Sequence, residues 1–200
     1  MRAKMQGWET IEHLLTRFWI ENPELGNRFV VPTKVRLINR LYFTGIIAED
    51  QVAERIVRHA RRLESDLARS SSNAIRTLAR CGTHGRLASF ASKFAHFHNA
   101  KGFPMWDKYV QRALRNLREP GFNGWKWTAP GTNLAATYDD FRKQIIALWK
   151  HFTALDAVNV SFKTIDAYLY LKGHQGLRTS RFSAELRWAC EQFPQLWVAL

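Results

Sequence analysis

Apolar positions recur every three or four residues along most of the chain, and that period predicts helices. Trp8, Ile11, Leu14, Leu15, Phe18 and Trp19 keep it over residues 8–21, and Pro23 closes the segment. Pro32 opens a second helix with Val35, Ile38, Leu41 and Tyr42 on one face, ending near Gly45. Residues 48–69 predict one long helix, acidic at its start and Arg-rich at its end, as the helix dipole favours. Ser70-Ser71-Ser72 predicts a break and a cap for a short helix over 72–80. A helix over 86–98 places Leu87, Phe90, Ala91, Phe94 and Phe97 on its buried stripe, with Ser89, Ser92, Lys93 and His96 opposite. Further helices are predicted at 107–118, 134–154, 161–172 and 180–191, with a Gly/Pro/Trp-rich loop over 119–133. The one alternating stretch, Arg28-Phe-Val-Val31, is too short for a strand. The expectation is an all-α protein, with residues 1–200 forming a single multi-helix domain.

Composition adds the question of a partner. The 200 residues carry a net charge of +13, with 46% apolar residues. That apolar share excludes disorder and low-complexity chains. A folded surface with so much positive charge repels itself, and binding a polyanion relieves the cost. Nucleic acid is the first candidate, and a membrane surface ranks below it for want of a basic amphipathic terminal helix. No apolar run is long enough to cross a bilayer, and no signal-peptide segment opens the chain. Cys81 and Cys190 are too few for a disulfide framework, so a reducing cytoplasmic location is expected. Cys81-Gly-Thr-His84 is half a metal site without its other half, and His96 and His98 point to opposite sides of one helix. No metal or cofactor is expected. Eight Trp, thirteen Phe and five Tyr are more rings than a small core needs, and unstacked bases rest on such rings.

The chemistry concentrates in Ser89-Phe-Ala-Ser-Lys93-Phe-Ala-His96-Phe97, a turn at Asn99-Ala-Lys-Gly102, and Phe103-Pro-Met-Trp-Asp107-Lys-Tyr-Val110. The pattern is a helix, a tight turn, a proline, and an aspartate at the start of the next helix. This segment resembles the helix–hairpin–helix DNA glycosylase superfamily, and within it small bacterial proteins related to the 8-oxoguanine glycosylases. The resemblance is strongest over residues 86–118 and weaker to about 172, where Tyr138-Asp-Asp-Phe141 and Ile165-Asp166-Ala-Tyr-Leu169 look like later helices of that group. Asn99–Gly102 stands where the superfamily has a glycine-rich hairpin, so the hairpin is degenerate.

The resemblance implies that Asp107 is the catalytic carboxylate. Cleaving a base–deoxyribose bond builds positive charge on the anomeric carbon, and a fixed carboxylate stabilises it and orients a water. The plain structural alternative for Asp107 is a helix N-cap. Some superfamily members use a lysine as an amine nucleophile. Lys93 lies 14 residues before Asp107, a shorter gap than those enzymes show, so a monofunctional enzyme is expected, with Lys93 helpful but dispensable. His96, Phe97 and Trp106, with Trp125 and Trp127 of the glycine-rich loop, are candidates for a base pocket, and the same rings serve equally as core. Arg76, Arg80, Arg86, Lys108, Arg112, Arg115 and Lys126 are candidates for DNA contact. Arg58, Arg61, Arg62 and Arg69 read as a solvated helix face, and Phe182, Leu186, Trp188, Ala189 and Trp197 as core. The expected function is a DNA glycosylase that flips a damaged or modified base from double-stranded DNA. Its role is repair of an oxidised base or antiviral defence against modified foreign DNA, and it acts as a monomer. The alternative is a non-catalytic basic helical module that binds nucleic acid.

Overall fold

The structure, a computed structural model, describes residues 2–82, 87–117, 133–154, 165–166, 169–170 and 173, with residues 2–10, 116 and 152 described through their backbone alone. Every regular element among the described residues is a helix, with no strand, so the protein is all-α. They fall into two compact units, Met1–Phe103 and Pro104–Leu200. Arg86, the loop with Trp125, Lys126 and Trp127, and the segment containing Phe182, Leu186, Trp188, Ala189, Cys190 and Trp197 lie outside the described residues.

The first unit holds α1 (Arg2–Glu21), α2 (Val30–Tyr42), α3 (Glu49–Arg58), α4 (Ala60–Ala68), α5 (Asn73–Arg80) and α6 (Ala88–His98). α1 stops where Asn22 folds its amide back onto the Phe18 carbonyl and Pro23 follows. Asn27 starts α2, its Oδ1 accepting from the Phe29 and Val30 amides. Pro32 therefore sits in the first turn, where its missing N–H costs nothing, and Val30 and Val31 are helical rather than extended. Phe43 ends α2 in the left-handed region, and Asn39 clamps the chain beyond it through Ile46 N, Ile46 O, Thr44 Oγ1 and Glu49 Oε1.

Residues 48–69 form two helices where one long one is expected. His59, at φ −101° and ψ 9°, leaves helical geometry between them. The reason is packing: α3 buries Val52, Ala53 and Ile56 and packs on α2, whereas α4 buries Leu63 and Leu67 and packs on α5 and α6. One straight rod cannot aim both stripes at their neighbours. The Arg face here is solvated as expected, with Arg58 on Glu54 and with Arg62 and Arg69 on the buried Asp66.

α6 is the hub of this unit. It packs on α1, α2, α4 and α5, and Phe90 and Phe94 are fully buried. Its turn is pinned by Asn99, whose Nδ2 donates to Leu67 O and Ser70 Oγ while Oδ1 accepts from Gly102 N. A Cβ on Gly102 would overlap the Ser70 hydroxyl, so this approach requires glycine.

The second unit holds α7 (Lys108–Asn116) and α8 (Leu134–Ala154), with further helical residues at Ile165, Asp166, Leu169, Tyr170 and Gly173. α8 buries Tyr138, Phe141, Ile145 and Leu148 at helical spacing. The Tyr138 hydroxyl donates to Pro104 O at 2.7 Å, which ties the segment before Asp107 to α8.

Candidate functional site

Two groups of polar residues emerge, one in each unit. In the first, α6 buries the side that its sequence pattern sets opposite the apolar stripe. Ser92 is fully buried, Lys93 is 3% exposed and His96 is 8% exposed. Four helices pack around α6, so the side opposite its apolar stripe is buried too, and only residues near its two ends, Ala88, Ser89, Phe97 and His98, stay partly exposed. Lys93 Nζ donates to Ser89 Oγ at 2.7 Å, one turn back on the same helix, and lies 5.7 Å from the Tyr42 ring centroid. The Tyr42 hydroxyl in turn donates to the buried Glu12 carboxylate. His96 Nδ1 meets the Phe103 carbonyl at 2.9 Å and so fastens the end of the turn to α6. Phe97 packs against Trp19 and Tyr42.

A second buried cation in this unit escapes a reading of the sequence. Lys34 is fully buried in α2, its Nζ donating to Asn22 O, and it lies 5.3 Å from the Trp19 ring centroid. Burial lowers its pKa to about 8, against the pull of Glu24 and Glu64. His98 packs on Trp19 and Phe94, and burial together with Lys34 lowers its pKa to about 3. Its Nε2 and the Trp19 Nε1 are buried without a hydrogen-bond partner among the described residues. Cys81 is buried as well, which raises its pKa to about 11 and leaves a protonated thiol, its Sγ within 3.4 Å of Thr77 O. Among the described residues no three His, Cys, Asp or Glu side chains gather to hold a metal.

In the second unit Asp107 sits at the N-cap of α7 in an extended conformation, φ −134° and ψ 150°. Its Oδ1 accepts from Tyr109 N at 2.7 Å, so the carboxylate does the work of a cap. It remains half-exposed. The helix it caps carries the exposed Lys108 and Arg112, whose charged ends lie 4.9 Å and 5.9 Å from the Tyr109 ring centroid. Arg115 is exposed one turn further on. Trp106, by contrast, is buried, with its ring stacked on Tyr138 at 6.0 Å and tilted against Phe141 at 5.2 Å. Its faces therefore belong to the core of this unit. The Tyr170 and Tyr109 rings form a T-shaped pair, with ring centroids 5.4 Å apart. Of the remaining candidates for DNA contact, Arg80 is exposed and Arg76 half-exposed in the first unit, on α5.

The sequence pattern brings Lys93, His96 and Phe97 together on one buried helix, and Asp107, Lys108, Arg112 and Arg115 together on another helix that faces solvent. It misses Lys34, because a lysine in an amphipathic helix reads as exposed. It misses Tyr170, because that residue follows Tyr109 by more than sixty positions and no local pattern joins them. The comparisons with known proteins match the chain as follows. It is 24% identical over 158 residues to an uncharacterized protein of Haemophilus influenzae, a match covering 76% of this chain and 71% of that protein. No solved structure matches it. No helix among the described residues is long and apolar enough to cross a membrane. Residues 3–102, from α1 through the Asn99 turn, match the family HI_0787_N, described as an N-terminal domain, and the chain belongs to that family.

Proposed function

We propose that the protein is a DNA glycosylase that hydrolyses the N-glycosidic bond of an extruded base in duplex DNA and leaves an abasic site. The observation that carries this reading is Asp107. It is a half-exposed carboxylate on a backbone that Pro104 stiffens and that the Tyr109 amide and Tyr138 hydroxyl hold, with three exposed cations on the helix it caps. A carboxylate held before substrate arrives loses no entropy in reaching its position. As the bond breaks, its electron pair leaves with the base and positive charge develops at the anomeric carbon, which Asp107 stabilises. Water then adds to that carbon and gives up its proton to the carboxylate or to solvent. Lys108, Arg112 and Arg115 supply cations for the flanking phosphates. Lys93, with its amine bonded to Ser89 on a buried face, has the role of a supporting group rather than the nucleophile. The protein acts as a monomer in the cytoplasm, in base repair or in defence against modified foreign DNA.

The N-cap bond is also what a non-catalytic binding module would need, and one substitution separates the two readings. Asparagine caps a helix about as well as aspartate but carries no charge. Asp107→Asn should therefore keep the fold and the DNA affinity. Base release from a panel of DNAs carrying modified bases, read by mass spectrometry, should fall on the order of a hundredfold. A native protein that releases no base from any substrate would overturn the enzyme reading. Borohydride tests the nucleophile. Abasic product that breaks only after alkali fits water, whereas a covalent adduct lost in Lys93→Ala would move the nucleophile to the amine.

A further inference from the structure

Trp106 is closed off by Tyr138 and Phe141, so the second unit needs another ring if it holds an unstacked base. Tyr170 meets the description. It is 43% exposed, the one residue of the second unit among the exposed large apolar and aromatic side chains described. It is not loosely held. Its ring stands nearly perpendicular to that of Tyr109, and one helical turn on, the Gly173 carbonyl accepts from Arg112 Nη1 at 3.3 Å. A Cβ on Gly173 would overlap the Tyr109 carbonyl, so backbone meets backbone at this point without a side chain between them. The ring is thus fixed to the first turn of α7, which Asp107 caps. Tyr109 itself is committed to Lys108 and Arg112. We propose that Tyr170 is the stacking platform for an unstacked nucleobase in nucleic acid, with Lys108 and Arg112 taking the adjoining phosphate. This rests on the nucleic-acid reading above, but not on catalysis.

The ligand class follows from the group of side chains. An exposed ring offers a flat face that any base can cover, and two exposed cations offer a partner for phosphate. Partial burial, then Asp107 and then Tyr109, raise the Tyr170 phenol above its ordinary pKa, so the ring stays neutral near pH 7 and does not repel phosphate. Tyr170 is a positioning residue: it holds the base, and Asp107 acts on the sugar.

The full chain tests this with a single-stranded oligonucleotide carrying 5-iodouracil. Irradiation should cross-link the base to Tyr170, located by peptide mass spectrometry, because that chemistry reports a stacked ring. Tyr170→Phe should bind within about twofold of the native protein. Tyr170→Leu should bind about tenfold more weakly with an unchanged slope of log affinity against log salt, since stacking neutralises no phosphate. Arg112→Ala should instead reduce that slope. Cross-linking only at other residues, native affinity in Tyr170→Leu, or no binding by the native protein overturns the inference. The native cross-link stands as a readout even if Tyr170→Leu misfolds. Cross-linking at Tyr170 without base release keeps this inference and removes the glycosylase. Base release that Tyr170→Leu leaves unchanged, without the cross-link, does the reverse.

Discussion

α6 and α7 follow one another in the chain, both carry polar residues at helical spacing, and they use them in opposite ways. α6 takes Ser92, Lys93 and His96 into the interior, where each needs a hydrogen-bond partner. α7 leaves Lys108, Arg112 and Arg115 in solvent and keeps a half-exposed carboxylate at its head. A buried polar side chain left unmatched costs on the order of 1–3 kcal/mol, so α6 is a place where chemistry and stability are entangled. An exposed charge costs little to remove, so α7 is a place where chemistry is separable from the fold.

The largest break in that contrast should come from α6. Phe94 lies between Phe90, Trp19 and His98, and Phe94→Ala should destabilise the protein by about 3–5 kcal/mol, read from urea midpoints. A loss under about 1 kcal/mol would mean that α6 does not organise its unit. Next comes Asp107→Asn, about a hundredfold down in base release, equivalent to roughly 2.7 kcal/mol, with the urea midpoint unmoved. A matching loss of stability would erase the separation claimed for α7.

Acid sharpens the contrast next. The folded His98 pKa of about 3 lies below its ordinary 6.5 because the ring is buried and faces Lys34. Between those values the unfolded chain takes up a proton that the folded chain refuses. Stability should therefore fall as pH drops from about 6.5 towards 3, by up to about 1.4 kcal/mol per pH unit from this one group. Lys34 works in the same sense higher up. Its folded pKa of about 8 against 10.5 lets the unfolded chain hold a proton that the folded one has lost, so stability rises with pH across that window. His98→Phe removes the acid component and the orphaned Nε2 together, and an unaltered acid profile in that variant would sink the assignment. The smallest effects belong to α7. Arg112→Ala and Arg115→Ala should each lower the salt slope of duplex binding by about one, and Arg115→Ala should change stability by less than about 0.5 kcal/mol.

Where period and punctuation agree, the sequence is a good guide. Leu134–Ala154 is α8 to the residue, and α6 and α7 come within two residues of the ends expected for them. Asp107 at a helix start is legible because a proline precedes it and an apolar stripe follows. Three things are not legible, each for a physical reason. The break at His59 depends on which neighbour each half-helix meets, and no local residue marks it. The burial of Lys93 and Lys34 depends on how many helices surround α6 and α2, whereas a pattern of one helix shows only its own two sides. The pairing of Tyr109 with Tyr170, and of Asn99 with Ser70 and Leu67, joins residues distant in sequence through contacts that leave no periodic trace.

Gly173 has a consequence for how this protein can vary. It carries no charge, no acid and no ring, yet a single methyl group there would run into the backbone of α7. In a library that samples every amino acid at every position under selection for folding, position 173 should admit glycine alone. Lys108 and Arg115 on the neighbouring helix should drift far more freely in the same selection. A map of tolerated substitutions would then mark the silent glycine more sharply than the residues proposed to meet nucleic acid, and selection for the proposed activity would be needed to bring those into view.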